Sequence, residues 1–499
     1  MTHRIYSNDD DGVVLITLKE SEKPITEELC REYIHMYRGT GLTDLLINIC
    51  CQYSMTPSEV WETAAERSLL TEVDGEPIDF TNTPAEVARK LYDAGIDMFG
   101  ILVDECHREG IRPWLSFRMN DMHANRRVSK TGETVQSDFT HYARERGMTR
   151  TNYRECAGYY DDALNYALPE VRAHFLDYIR EQIFRYPASG IELDFSREFF
   201  CFTPGLEEEG RHIMRDFFRK VRSIADEAGR HHGHKVEVLA RAFSRPLDDF
   251  RSGLDIAGAA AEGLLDVVVP TAHFGTTDDG CPVELWRRLL PPSCRLAVGI
   301  ETDILPGAGK KRQPRPSEML WGLAHTFLSE GADDVYLFNE LYLHRLGDDL
   351  VSHISPLADR TLLKNAPRRM PISYANITAP GEPQPHRLPM NIKSYHWGGG
   401  EYADLRFYVG DNAGIPLYLL LSINEENDRL SLYVNGREVT YMGKCRLPEH
   451  SDLDLLVYQV PPLSGNVRAL EIRALDRSPE CTPIIDYAEM RTYLPSVIQ

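Results

Sequence analysis

Residues 190–198 read Gly190-Ile191-Glu192-Leu193-Asp194-Phe195-Ser196-Arg197-Glu198. In this stretch the apolar residues Ile191, Leu193 and Phe195 alternate with the acids Glu192 and Asp194. Successive side chains of a strand point to opposite faces, so both acids share one face. Burying two acids is costly unless they have a partner or a task. The stretch therefore predicts a strand that carries acids into a polar site at the end of a barrel.

Similar apolar runs recur along the chain up to about residue 345, separated by amphipathic segments. The predicted strands are 3–7, 43–50, 112–119, 190–196, 235–242, 265–272, 295–301 and 334–340. The predicted helices are 25–38, 84–95, 171–186, 211–230, 254–263, 282–290 and 316–331. Eight strand–helix units predict an α/β protein with a (β/α)8 TIM barrel. An open doubly wound sheet is less favoured, because no Gly-rich nucleotide-binding turn follows the early strands.

The C-terminal part changes character. Residues 366–395 are rich in proline, and the runs beyond them alternate like strands, with Asn435-Gly436 as a hairpin turn between two of them. We therefore predict three parts: a catalytic barrel over 1–365, a proline-rich linker over 366–395 and a C-terminal all-β sandwich over 396–499.

The composition of the chain limits the kinds of molecule that it is expected to bind. The 499 residues carry a formal charge of −21, which disfavours nucleic acid and anionic membranes and favours a small neutral or cationic substrate. The sequence shows no signal-peptide pattern and no apolar run long enough for a membrane span. Ten cysteines without a CxxC pair fit a cytoplasmic location and predict no metal site. No cofactor is predicted, and the oligomeric state stays open, a homo-oligomer included.

Polar residues cluster where the predicted strands end, which is the active face of a barrel. Besides the pair discussed below, the candidate substrate-binding residues are Asp10, Asn48, Arg118, Asn120, Asp121, His123, Glu192, Arg241, His273, Asn339 and Glu340. Aromatic side chains that could stack on a sugar are Tyr53, Trp114, Phe243, Phe274 and Tyr342. Such a dense set of carboxylates, amides and guanidinium groups suits a small carbohydrate.

Glycoside hydrolysis needs two carboxyl groups that flank the scissile bond. Asp194 on strand four and Glu301 on strand seven are the predicted catalytic pair, with Asp194 as nucleophile or base and Glu301 as acid. Arg118 and Arg241 lie on the strands beside strand four, and we expect one of them to contact Glu192 or Asp194 and keep it ionised. Glu340, Asp278 and Asp279 are the other candidate acids.

Two motifs resemble a family. The stretch Leu164-Asn165-Tyr166-Ala167-Leu168-Pro169-Glu170-Val171-Arg172, a helix, and then Gly190–Phe195 resemble the bacterial glycoside-hydrolase-like family 10 barrels. The resemblance implies a TIM barrel over residues 1–345 and sugar chemistry without a named sugar. Strand four is also distantly similar to chitinase-like and α-galactosidase-like barrels. Ser196 stands where a chitinase has its catalytic Glu, so a chitinase-type mechanism is not expected.

Two alternatives remain open at this stage. A metal-dependent isomerase or lyase would use Asp10, Glu192, Asp194, His273 and Glu301 as ligands. A carbohydrate-binding protein without catalysis would bind through the β-sandwich, although several inward-pointing acids argue against it.

Overall fold

The computed structural model describes most of the chain. The described residues are 3–70, 72–73, 76–77, 81, 83–122, 137–151, 159–196, 198–273, 277–305, 310–340, 350–372, 378–379, 381–382, 388–391, 402–423, 430–448, 454–463, 468–476 and 484–496.

Eight parallel strands form a closed barrel in which each strand pairs with its neighbours in chain order. They are β1 (Ile5–Asp9), β2 (Asp44–Asn48), β3 (Arg112–Arg118), β4 (Gly190–Asp194), β5 (Glu237–Phe243), β6 (Val267–Thr271), β7 (Arg295–Ile300) and β8 (Asp334–Phe338). The barrel closes because β1 pairs with both β2 and β8. All eight predicted barrel strands are confirmed.

Helices lie between the strands. They are α1 (Asp11–Glu20), α2 (Glu27–His35), α3 (Ala64–Arg67), α4 (Pro84–Asp93), α5 (Met98–Arg108), α6 (Asp138–Glu145), α7 (Pro169–Arg185), α8 (Glu207–His232), α9 (Pro246–Arg251), α10 (Ile256–Ala261), α11 (Val283–Leu289), α12 (Ser317–Glu330), α13 (Leu350–Ile354) and α14 (Arg360–Asn365). Short 3-10 turns cover Tyr159–Asp162 and Ser355–Ala358. Two-residue ribbons pair Glu72–Val73 with Glu76–Pro77 and Asp303–Ile304 with Gln313–Pro314.

Helix α1 was not among the helices predicted from the sequence. Asp10 caps the helix: its side chain accepts a hydrogen bond from the Gly12 N–H at 3.0 Å. An Asp at this position stabilises a helix start by satisfying an otherwise unpaired N–H group. The residues that follow, Val13, Val14, Leu15 and Leu18, are all buried, but they are too continuous to show a helical period.

The barrel interior consists of layers. At the N-terminal ends of the strands, ion pairs form a floor: Arg4 with Glu237 at 2.8 Å, Arg112 with Asp44 at 3.2 Å and Arg295 with Asp334. Above the floor lies an apolar layer that includes Tyr6, Leu46, Trp114, Leu239, Val267, Ala297 and Tyr336. Above that layer, toward the C-terminal ends of the strands, polar side chains line the barrel again, and active sites of this fold lie at that end.

Trp114 decides which residue can begin β4. A Cβ atom built on Gly190 would lie 2.2 Å from the indole of Trp114. Since no real Cβ approaches that closely, glycine is required there, and the ring fills the space that a side chain would take. This corrects the prediction that Trp114 stacks on a sugar, because it lies near the start of its strand, deep in the barrel.

The C-terminal region forms two antiparallel sheets. Its strands are β9 (Arg369–Pro371), β10 (Met390–Asn391), β11 (Tyr402–Tyr408), β12 (Tyr418–Ile423), β13 (Leu430–Val434), β14 (Arg437–Glu438), β15 (Thr440–Cys445), β16 (Leu455–Gln459), β17 (Ala469–Asp476) and β18 (Ile484–Arg491). One sheet has the order β9-β18-β12-β16-β15, with β10 also on β18, and the other has the order β11-β17-β13-β14. Leucines from both sheets share one core, among them Leu405, Leu421 and Leu432. The predicted β-rich region is confirmed.

The division into three domains stays a prediction, and one detail of it needs correction. Strands β9 and β10 come from the stretch predicted as a linker, and both pair with β18. Proline is tolerated there because β9 lies at the edge of its sheet, where an N–H donor can be missing.

The barrel and the β-rich region are joined by hydrogen bonds. The Tyr408 N–H donates to Asp279 at 2.7 Å, and the Asp279 N–H donates to the Pro371 carbonyl at 3.3 Å. Lys364 of α14 forms an ion pair with Asp411 at 2.9 Å. Asp279 therefore belongs to this seam and not to the barrel mouth, which corrects its prediction as a candidate acid.

Candidate active site

Two carboxylates meet one guanidinium group at the upper end of the barrel. Arg241 of β5 donates to Asp194 of β4 at 3.3 Å and to Glu301, which follows β7, at 2.8 Å. The prediction that an arginine contacts Glu192 or Asp194 is confirmed through Arg241. One planar guanidinium spans both acids, so their carboxyl groups are no more than about 8 Å apart. That limit admits both retaining and inverting glycosidase geometries.

Arg241 is itself fixed from below by aromatic rings. Its guanidinium carbon lies 4.1 Å from the ring centre of Phe338 and 5.5 Å from that of Tyr336. A cation over the face of an aromatic ring is attracted to it, most strongly where water is excluded. The position of Asp194 and Glu301 therefore depends on an arginine that has little freedom to move.

Glu192 lies one layer deeper than Asp194 and is fully buried. Its carboxyl group accepts hydrogen bonds from Asn8 at 2.5 Å, from Tyr336 at 2.6 Å and from Ser116. Burial, together with the neighbouring charge of Asp194, raises the pKa of Glu192 to about 7. Glu192 therefore holds a proton for much of the time near neutral pH, and it supports the site from below rather than facing a substrate.

A second arginine organises the other side of the mouth. Arg118, at the end of β3, pairs with Asp10 and with Asp121, the latter at 3.0 Å, and contacts the Cys51 sulfur at 3.3 Å. Asp10 is the more accessible of the two acids, with 21% of its side chain exposed against none for Asp121. The structure thus brings Asp10, Arg118 and Asp121 together, whereas the sequence only placed them at neighbouring strand ends.

Several other candidate residues have structural partners instead of facing the mouth. Asn120 holds backbone groups, donating to the carbonyls of Leu164 and Phe200 at 3.1 Å each. Glu340 is buried between Arg315 and His353; although burial disfavours its charge, these two groups hold the pKa of Glu340 below its usual value. Neither residue is positioned to bind substrate, which corrects both predictions. The reason is that buried amides and charges need partners, and the chain supplies them.

The remaining predicted substrate-binding residues are Asn339, Asn48, His273 and His123. Asn339 has a left-handed backbone (φ 56°) and its side chain accepts from the Asp10 N–H at 2.9 Å, so it positions Asp10. Asn48 is buried 3.9 Å from the Cys51 sulfur. His273 is half-buried, 3.4 Å from the Tyr160 hydroxyl. His123 lies outside the described residues, as do the aromatic candidates Phe274 and Tyr342.

The other aromatic candidates are not free to stack on a sugar as predicted. Phe243 is buried and stacks on Phe199, with ring centres 3.9 Å apart. The Tyr53 ring has the Arg67 guanidinium 4.5 Å from its centre.

Three buried polar side chains that follow strand ends were not among the predicted site residues. Within the described part of the chain, no hydrogen-bond partner satisfies the amide of Gln52, the hydroxyl of Ser196 or the hydroxyl of Thr302. Gln52 also has a left-handed backbone (φ 63°), which is strained for a residue other than glycine. Strain and unsatisfied polar groups concentrate at ligand sites. Their place after β2, β4 and β7 is the signal that sequence reasoning could have used.

The exposed fraction of the side chain differs strongly among the acids of this region. The side chains of Asp194 and Glu301 are each 1% exposed. Asp303, two residues beyond Glu301, is 30% exposed, and burial of its carboxyl group raises its pKa. The deep acids are therefore pre-positioned and shielded from water, while Asp10 and Asp303 are the acids that a molecule at the mouth meets first.

Comparison with known proteins gives similarity to solved structures only. No family model and no curated protein matches the sequence. The glycoside hydrolase domain of PgaB (BpsB) from Bordetella bronchiseptica is 12% identical, with a TM-score of 0.42, over 71% of this chain and 99% of that one. An α-L-fucosidase from Paenibacillus thiaminolyticus is 12% identical, with a TM-score of 0.35, over 95% of this chain and 96% of that one.

A third similar structure is a family 18 N-acetylglucosaminidase from Paenibacillus barengoltzii, 13% identical, with a TM-score of 0.37, over 70% of this chain and 99% of that one. Similarities of this size carry no argument about activity. The barrel is established by the strand pairing described above.

None of the described helices is long and apolar enough to cross a bilayer.

Proposed function

We propose that this protein is a glycoside hydrolase that acts on a short oligosaccharide or glycoside at the mouth of the barrel. The observation that carries the proposal is the group of Asp194, Arg241 and Glu301, two carboxylates on non-adjacent strands held by one guanidinium. Glycosidase chemistry needs two carboxyl groups at such a separation. The unsatisfied side chains of Gln52, Ser196 and Thr302 offer hydrogen bonds to sugar hydroxyls.

Asp194 is the proposed nucleophile or base. Its carboxylate accepts from the Ser196 N–H at 2.8 Å and from Arg241 at 3.3 Å. Both donors hold the Asp194 carboxyl group in place at the end of β4. Glu192 beneath it has a pKa raised by burial and by the charge of Asp194.

Two acids after β7 can supply the proton to the leaving group. Glu301 lies 2.8 Å from Arg241, so substrate has to displace that contact before Glu301 can reach a leaving group. Asp303 needs no displacement, because burial already raises its pKa and 30% of its side chain is exposed. Glu301 remains the proposed acid on the basis of its shared guanidinium with Asp194, and Asp303 is its rival.

The alternative functions fit the geometry less well. The ligands proposed for a metal enzyme are divided between two guanidinium groups, Asp10 on Arg118 and the Asp194–Glu301 pair on Arg241. A cation would have to displace both arginines to collect them. A purely binding protein would have no need for two buried carboxylates on one arginine, since buried charges cost stability.

The test begins with the full-length protein and a panel of nitrophenyl glycosides and oligosaccharides. On an active substrate, Asp194→Asn should lower kcat about 10³-fold or more, with an unchanged circular dichroism spectrum. Glu237→Gln is the matched control, since Glu237 is a partly buried, ion-paired acid at the opposite end of the same barrel. Near wild-type turnover by Asp194→Asn would contradict the proposal, and a wild type that binds panel sugars without hydrolysing any would favour the binding protein.

Leaving-group dependence separates the two proton donors. Loss of the acid should leave turnover of a nitrophenyl glycoside largely intact and should abolish turnover of the matching methyl glycoside, which needs protonation. If Glu301→Gln keeps turnover of the nitrophenyl glycoside and loses turnover of the methyl glycoside, Glu301 is the acid. If Asp303→Asn shows this difference between the two substrates instead, Asp303 is the acid.

A further inference from the structure

A groove lies at the seam between the barrel and the β-rich region, away from the barrel mouth. It has a volume of about 350 Å³ and runs between α11, the end of α12, and strands β11 and β17. Its polar lining consists of Glu284, Arg288, Glu330, Arg406, Tyr408 and Arg468. Cavities of this size hold ligands as large as a monosaccharide.

Three arginines in one groove are unexpected in a chain whose formal charge is −21. Within the described part of the chain, neither Arg288 nor Arg468 forms an ion pair. The Arg406 guanidinium lies 5.6 Å from the ring centre of Tyr408. Arginine presents paired N–H groups in a planar fork, which matches a carboxylate.

Glu330 completes the groove and is not used by the proposed hydrolysis. One of its carboxyl oxygens, Oε1, is buried and has no hydrogen-bond partner among the residues that the structure describes. Asp279 and Glu284 face it from the barrel side, and Arg406 and Arg468 face it from the β strands. Burial, with the charges of those two acids, raises the pKa of Glu330 to about 8. At neutral pH the side chain is therefore a carboxylic acid, able to donate a hydrogen bond.

We propose that this groove binds a small molecule that carries one carboxylate, of the uronic acid class, with the arginines holding the carboxylate and Glu330 donating a hydrogen bond to it. The acids around the groove favour a monoanion over a dianion. Glu284 lines the groove and Asp279 lies close enough to raise the pKa of Glu330, so a phosphate dianion would meet two carboxylates besides the arginines. The site is independent of the proposed hydrolysis.

The proposal predicts how binding changes with pH. The ligand keeps its charge above about pH 5, since a sugar carboxylate ionises near pH 3.5. Glu330 loses its proton as the pH rises past 8, which removes a donor and adds a negative charge beside the bound carboxylate. The dissociation constant should then rise up to about tenfold per pH unit between pH 8 and 10.

The test measures binding of sodium D-glucuronate to the full-length protein by calorimetry at pH 6.5 and pH 9.5, with D-glucose and inorganic phosphate as comparison probes. We expect glucuronate to bind at pH 6.5 and to bind at least tenfold more weakly at pH 9.5. Glucose should show no binding to the groove, and phosphate should bind more weakly than glucuronate. Equal binding of glucose, tighter binding of phosphate, or no binding of glucuronate at 20 mM (roughly the weakest affinity of a useful site) overturns the proposal.

Variants locate the site. The double variant Arg288→Gln/Arg468→Gln should lose glucuronate binding at least tenfold, whereas Arg437→Gln, an exposed arginine on β14 of the same region, should bind like wild type. Glu330→Gln keeps a donor, so it should retain binding and lose the dependence on pH. Asp194→Asn should bind unchanged, which separates this site from the barrel mouth. Glucuronate binding that survives the double variant but not Asp194→Asn would place the ligand in the barrel and refute the groove.

Discussion

Glu192→Gln is the substitution whose effect the structure defines most closely. The carboxyl group lies between three donors, Asn8 and Ser116 on Oε2 and Tyr336 on Oε1. A glutamine of the same shape can accept from Asn8 and Ser116 with its oxygen. Its NH₂ group then donates to the Tyr336 hydroxyl, which rotates to accept. The variant should therefore fold, and what it loses is the ability to gain or release a proton.

The size of the pH-dependent change in the free energy of unfolding follows from the pKa of Glu192. Burial and Asp194 raise it from 4.5 to about 7 in the folded protein. Between these values the folded state binds a proton that the unfolded state does not, so the free energy of unfolding falls as the pH rises. Across the whole window the loss is roughly 3 kcal/mol, at about 1.4 kcal/mol per pH unit. Below pH 4.5 and above pH 7 the contribution is constant.

The assay is urea unfolding of wild type and Glu192→Gln at half-unit steps from pH 4.5 to 8.5. The difference between the two free energies of unfolding should change by roughly 3 kcal/mol over this range, with the wild type losing stability relative to the variant. Subtraction removes the other acids with raised pKa values, such as Asp9 and Glu330. Glu237→Gln serves as the control, because the pKa of Glu237 is lowered and should give a flat difference above pH 5. A difference for Glu192→Gln that stays constant over pH, or that changes in the opposite direction, would refute the reasoning.

Three further predictions rest on neighbouring contacts. Asp194→Asn removes a negative charge that raises the pKa of Glu192, so the midpoint of the pH-dependent stability loss should move to lower pH; an unmoved midpoint in the same urea series would contradict this coupling. Gly190→Ala places a Cβ 2.2 Å from the Trp114 ring and should lower the free energy of unfolding by about 1–3 kcal/mol or more, whereas a thermal midpoint equal to that of wild type would show that the ring can move. Gln52→Ala breaks no hydrogen bond within the described residues, so its stability should match that of wild type while KM for an active substrate rises about tenfold; unchanged KM would remove Gln52 from the site.

Much of the barrel could be predicted because each strand carries its own signal. The alternation of Glu192 and Asp194 with apolar residues sets both the strand and the face on which the acids lie. Strand order needed no further information, since neighbouring strands of this fold follow each other in sequence. The contact between Arg241 and Asp194 was predictable for the same reason, because β4 and β5 pair directly with these two residues in register.

The partners across larger sequence distances could not be predicted. Asp9 belongs to a run of three acids, a pattern typical of exposed chain, yet it is buried and accepts hydrogen bonds from the hydroxyls of Tyr33 and Tyr37 at 2.6 Å each. Glu340 looked like a catalytic candidate until its two partners were known. In both cases the residue type is compatible with a site and with an internal ion pair or hydrogen bond, and only the three-dimensional neighbours distinguish the two.

The ion-paired floor of the barrel has a consequence for molecular traffic. With Arg4, Arg112 and Arg295 tied to acids below the Trp114 layer, the described residues close the barrel at the N-terminal ends of its strands, so in the proposed hydrolysis substrate and product both pass the C-terminal ends. A polymer cannot thread through such a dead end, so successive cleavages along one chain require that each fragment diffuse out before the remainder moves in. Departure of the fragment, rather than bond cleavage, can then set the pace of turnover.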